Sequence, residues 1–134
     1  MGLNLSLDFQ FESPIKKVWL ALTDTEILAK WMIFTNDFKP VVGHKFQFRT
    51  EPTEWWNGIV DCEVLEVKDP HKLSYTWVSG GESLVVTLTL THEDSTNNLH
   101  LEQTGFESED QTYSGAKNGW TQMTGELEKV LAEL

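Results

Sequence analysis

The closing stretch of the chain constrains everything before it. From Ser108 to Leu134, Tyr113, Ala116, Trp120, Met123, Leu127, Val130, Leu131 and Leu134 recur at steps of three and four. That spacing places them on one stripe of an α-helix. Ser108 followed by Gln111 reads as a capping box, and Glu109 and Asp110 put negative charge at the positive end of the helix dipole. Gly115, Gly119 and Gly125 each cost the helix ~1 kcal/mol relative to alanine. A helix so weakened depends on a surface to lie against.

The rest of the chain supplies that surface. Leu3, Leu5, Leu7, Phe9 and Phe11 alternate with polar residues, the pattern of a half-buried strand. Ser13-Pro14 then opens a short helix to about Leu22, with Ser13 as cap and Pro14 as first helical residue. Thr23 with Glu26 makes a capping box for a second short helix carrying Ile27, Leu28, Trp31 and Met32. Residues 36–43 read as loop, broken by Pro40 and turned by Gly43. Strand patterns follow through Phe46 and Phe48, then Val60, Cys62 and Val64. At Leu65 and Val67 the apolar register slips by one, which predicts a bulge near Val64-Leu65. Asp69-Pro70, Gly80-Gly81 and Asn97-Asn98 read as turns between further strands carrying Leu73, Tyr75 and Trp77, then Leu84 to Leu90, then Leu99, Leu101 and Gln103. The expected architecture is α+β: one domain over residues 1–134, with a curved antiparallel sheet of about six strands around a long C-terminal helix and two short helices after the first strand.

Charge and cysteine usage narrow the function classes. Twenty-one acidic against ten basic residues give a net charge of -11, which repels nucleic-acid phosphates and anionic membranes at long range, a local basic patch aside. No apolar run approaches the ~20 residues of a bilayer span, so no membrane insertion is expected. The single cysteine, Cys62, and the absence of a secretory signal pattern point to a cytoplasmic setting.

Catalytic signatures are absent. His44, His71, His92 and His100 fall at a strand start, two turns and an outward strand position, without metal-ligand spacing, and Cys62 reads as a core residue. Neither a metal nor another cofactor is expected. Aromatic and apolar side chains remain: Trp31, Phe46, Phe48, Trp56, Tyr75, Trp77, Trp120, Met123 and Leu127 are candidates to line a space between sheet and helix. Tyr75 and Gln103 are polar groups facing the same space, bonded to each other, to water or to a ligand. Val130, Leu131 and Leu134 would seal the far end of the helix, and a loosening at Gly115 and Gly119 would open an entrance.

Pro14-Ile15-Lys16-Lys17-Val18-Trp19-Leu20-Ala21-Leu22-Thr23-Asp24, Lys30-Trp31 and Asp37-Phe38-Lys39-Pro40-Val41-Val42-Gly43-His44-Lys45-Phe46-Gln47-Phe48-Arg49 resemble the signature of the bacterial activator of heat-shock protein 90 ATPase homologue-like proteins. Cys62 to Val67, Leu73 to Trp77, Leu101 to Phe106 and Gly119-Trp120 continue the resemblance. It implies the helix-grip fold shared with START-like lipid-transfer domains, the major birch pollen allergen and polyketide cyclases, in which a long C-terminal helix frames a hydrophobic cavity. The eukaryotic activators carry an additional N-terminal domain, for which 134 residues leave no room. Three functions follow as expectations: binding of a lipophilic small molecule or lipid, assistance to an Hsp90-type chaperone, and a cyclase-like reaction with Tyr75 as general acid.

Overall fold

Alternation over the first residues forms β1 (Leu3–Phe11), with Leu5 and Phe11 buried and Asn4, Ser6, Asp8 and Gln10 facing out. In this computed structural model the described residues are 3–32, 35–54, 57–79, 82–93, 96–106 and 111–133. After β1 come α1 (Ile15–Thr23), α2 (Thr25–Trp31), β2 (Thr35–Asn36), β3 (Lys45–Arg49), β4 (Ile59–Lys68), β5 (Lys72–Ser79), β6 (Glu82–Glu93), β7 (Thr96–Phe106) and α3 (Gln111–Glu133). The sheet is antiparallel and curved, in the order β1-β7-β6-β5-β4-β3-β2. The first strand thus closes onto the last, from Leu3↔Phe106 to Phe11↔Asn97. The seventh strand beyond the expected six is the two-residue β2 on the edge at β3.

Several local expectations shift by a residue. Pro14, not Ser13, is the cap of α1: its backbone stays extended (ψ 148°) while its carbonyl accepts from Lys17 and Val18. Asp24, not Thr23, caps α2, because its carboxylate accepts from the amides of Glu26 and Ile27 at 3.0 and 3.1 Å. Thr23 instead ends α1 and donates its hydroxyl to Trp19 O. Asn97-Asn98 lies within β7 rather than in a turn. Asn97 is buried, and its amide donates to Ser13 O at 2.6 Å, which ties β7 to the start of α1. The Ser108 cap, Gly80-Gly81 and Leu134 lie outside the described residues.

The bulge falls where the register slip predicts it, between Val64 and Glu66. Val67 returns to the core side, whereas Leu65 stays 44% exposed. Gly58 begins the hairpin partner of β3 with φ +77°, and a side chain there would run into the carbonyl of Thr50, so only glycine closes this turn without strain.

On α3, Trp120, Met123, Leu127, Val130 and Leu131 are buried, while Tyr113 and Ala116 pack partly against the core. Burying each large apolar side chain contributes roughly 1.5–3 kcal/mol, which outweighs the ~1 kcal/mol each glycine removes. Thr124 is buried on the same helix, its hydroxyl turned back to Trp120 O at 2.9 Å. No helix of the described residues is long and apolar enough to cross a membrane.

Candidate functional site

Strand pairing lays the inner face out in rows. One row runs Leu5, Gln103, Val86, Tyr75, Val64, each opposite the next. Tyr75 and Gln103 are therefore two strands apart, roughly 10 Å at the usual interstrand spacing, too far to bond directly. The carbonyl oxygen of Gln103 is met from the helix instead: Trp120 Nε1 donates to Gln103 Oε1 at 3.0 Å, both side chains being buried.

Tyr75 sits among rings. Phe46 lies 5.6 Å from it, Phe48 6.0 Å and Phe38 6.4 Å, centroid to centroid. Phe38 and Phe48 meet Phe46 edge-on at 5.0 and 5.3 Å. Trp77 continues the series, 5.6 Å from Phe48 and 5.7 Å from Trp120. An unbroken aromatic wall thus runs from the loop before β3, across β3 and β5, to the middle of α3. Edge-to-face contacts of this kind hold rings in definite orientations.

Tyr75 is the polar group inside that wall. Among the described residues its hydroxyl has no hydrogen-bond partner, although no fully enclosed side-chain nitrogen or oxygen is left without one. Burial, with a smaller contribution from neighbouring Cys62, pushes its ionisation well above the usual phenol range. It therefore stays protonated and can donate. Burial likewise pushes the Cys62 thiol up, and its Sγ rests 3.8 Å from Val60 O, so it is a core side chain rather than a thiolate nucleophile.

Of the candidates from sequence, the structure brings Phe46, Phe48, Tyr75, Trp77, Gln103 and Trp120 into this one network. Met123 and Leu127 are buried further along the α3 stripe. Trp31 is buried too, but it is spent locally: its indole donates to Ala21 O at 2.8 Å and pins α2 to α1. Trp56 lies outside the described residues. Phe38 was not a candidate, because residues 36–43 read as loop. Its signal is a large aromatic between charged neighbours, which is buried at 2% exposure by packing on Phe46.

Three of the histidines have partners of their own. His100 Nδ1 lies 2.9 Å from Asp8 Oδ1 on the outer face of β7 and β1, and Nε2 3.7 Å from Glu102. His92 lies within β6 rather than in a turn and pairs with Asn97 at 3.0 Å. His44 stacks on Phe46 at 6.1 Å and bonds to Asp37 O. No group of three or more histidine, cysteine or acidic side chains among the described residues is arranged to hold a metal. A half-open cavity of ≈ 470 Å³ lies apart from the aromatic wall, where the C-terminal turn of α3 meets the end of β1, lined by Phe11, Ser13, Thr96, Glu128 and Leu131 among others.

The family profile described as activator of Hsp90 ATPase homolog 1-like protein matches residues 12–132. No curated protein matches the chain. Among solved structures, protein MLL2253 of Mesorhizobium loti is 37% identical, with 98% of each chain covered and a TM-score of 0.89. Protein BH1534 of Bacillus halodurans is 26% identical, with 96% of each chain covered and a TM-score of 0.79. An Hsp90 activator of Plasmodium falciparum shares the fold at 19% identity, covering 97% of this chain and 96% of its own, with a TM-score of 0.79. With its START-like helix-grip fold, the chain belongs to the activator of Hsp90 ATPase homolog 1-like family.

Proposed function

We propose that the protein binds a lipophilic small molecule or lipid between the inner face of the sheet and α3, in the cytoplasm, without catalysis. The observation that carries this reading is Tyr75: a protonated hydroxyl without a protein partner among the described residues, set among Phe38, Phe46 and Phe48. Apolar walls with a few fixed polar groups are the usual composition of small-molecule sites. The rings supply apolar contact, and Tyr75 supplies one donor to a carbonyl or hydroxyl of the ligand. Trp77 and Trp120 stand in the same wall, so an occupant should quench tryptophan fluorescence.

Quenching and native mass spectrometry with a panel of lipids, flavonoids and polyketides test this. Binding at micromolar concentration is expected, weakened about three- to tenfold by Tyr75→Phe for ligands with a polar end, the loss of one hydrogen bond. Absence of binding across the panel would overturn the reading. A cyclase-like reaction is less well supported, because the groups around Tyr75 are rings and Cys62 rather than a carboxylate or histidine.

A second reading rests on the family match over residues 12–132 and on the shared fold of the Plasmodium falciparum Hsp90 activator. It has this chain assist an Hsp90-type ATPase. A saturating titration that leaves the hydrolysis rate of such an ATPase unchanged would dismiss it.

A further inference from the structure

The four large hydrophobic side chains most exposed to solvent among the described residues are Leu20, Val41, Val42 and Leu65, and three of them converge. Gly43 N donates to Val64 O at 2.8 Å and Val64 N to His44 O at 3.0 Å, which places the Val41-Val42 apex beside the bulge of β4. That bulge turns Leu65 outward, 44% exposed, next to Val41 at 58% and Val42 at 61%. Bulges commonly re-aim a side chain in this way. Within the loop itself, residues 38–45 contain no acidic residue in a chain of net charge -11. Lys39 and Lys45 flank the apex, exposed and without an ion-pair partner among the described residues; Glu63 stands opposite Lys45 in the β3–β4 register, while Asp37 and Glu66 are paired with Arg49 and with Lys68 and Lys72. The loop is also anchored in the aromatic wall at both ends, by Phe38 against Tyr75 and by His44 stacked on Phe46.

We infer that the apex at residues 39–45, together with Leu65, docks on an anionic phospholipid bilayer surface, the valines and Leu65 entering the interface while Lys39 and Lys45 meet lipid phosphates. Exposed apolar side chains flanked by two unpaired lysines match that surface in chemistry and in local charge. The overall negative charge opposes approach from a distance, but it is screened beyond ~8–10 Å, so the groups at the point of contact decide. Docking weak enough to be reversible suits a protein that exchanges a lipophilic ligand with a membrane; that link rests on the function proposed above, whereas the docking itself does not.

Flotation of the whole chain with vesicles of phosphatidylcholine, with and without phosphatidylglycerol, tests the inference. Binding is expected to the mixed vesicles and to be weaker on phosphatidylcholine alone. Val41→Asp with Val42→Asp should reduce it at least about tenfold. Lys39→Glu with Lys45→Glu should reduce it about tenfold or more and remove much of its salt dependence. All four positions are exposed, and circular dichroism checks that the variants fold. Absence of flotation of the unaltered chain with the mixed vesicles would overturn the docking, and flotation unchanged in both variants would overturn docking through this loop. Tryptophan quenching by a ligand in vesicle-free solution, measured on the same variants, separates the two proposals: retained ligand binding with lost flotation supports docking alone, and docking without any ligand binding removes only the proposed exchange.

Discussion

The carbonyl oxygen of Gln103 and the indole N–H of Trp120 satisfy each other, and losing the oxygen leaves the buried N–H without a partner. Gln103→Leu strands the buried Trp120 indole N–H, so a loss of about 1–3 kcal/mol is expected by urea denaturation. A loss below about 0.5 kcal/mol would mean that the bond is not formed in solution. Alternation along β7 made the inward direction of Gln103 legible in the sequence. Its partner was not, because that depends on which turn of α3 lies over which strand, a packing outcome with no local signal. Asn97 makes the same point: an Asn-Asn pair favours turns locally, but a buried bond to Ser13 O holds it in the strand. On the outer face, the hydrogen bond that His100 donates to the Asp8 carboxylate raises the His100 pKa above its ordinary 6.5, and the same contact lowers Asp8 below 3.8. The His100 contribution is present below about pH 6.5 and lost as pH rises through the folded-state pKa. The Asp8 contribution is present above about pH 3.8 and lost on acidification. The pair is thus complete only between those values. Asp8→Asn should lower the His100 titration midpoint measured by NMR, and an unmoved midpoint would rule the pairing out.

At the scale of elements, glycines separate into two kinds that composition alone cannot distinguish. A side chain at Gly115 or Gly125 of α3 meets nothing within 4 Å, so alanine there should stabilise the protein by about 0.5–1 kcal/mol each through helix propensity and a less flexible unfolded chain. Gly58→Ala should instead destabilise by more than about 1 kcal/mol, since φ +77° and the Thr50 carbonyl both oppose a side chain. Thermal melts of the three variants check both signs, and a destabilised Gly115→Ala would show that α3 uses that position for something other than helix. The α3 stripe and the β4 bulge were legible because period and register slip are properties of the chain itself. Cap positions slipped by one residue because Thr23 and Asp24 are both good caps, and only the geometry between α1 and α2 chooses Asp24.

For the whole molecule the dominant surface property is the excess of acidic residues, twenty-one against ten basic. Among the described residues, the pairs Lys68–Glu66, Lys72–Glu66 and Lys129–Glu126 lie at the surface, where solvent screening leaves such contacts weak. Salt acts in opposite directions on these two terms: it weakens the few attractions and also screens the general repulsion. Because acidic residues outnumber basic ones by twenty-one to ten, most carboxylates repel one another rather than pair, and screening that repulsion should win. The thermal midpoint at neutral pH is therefore expected to rise by a few degrees between about 10 mM and about 150 mM sodium chloride, where the Debye length shrinks from ~30 to ~8 Å. Potassium chloride should produce the same rise, which separates screening from specific ion binding. A midpoint that stays flat or falls would show that the ion pairs outweigh the net charge. The buried aromatic wall takes no part in this balance, so occupancy by a neutral ligand should add its stabilisation independently of salt. An additional salt-dependent gain on ligand binding would place the ligand against the charged exterior rather than beside Tyr75.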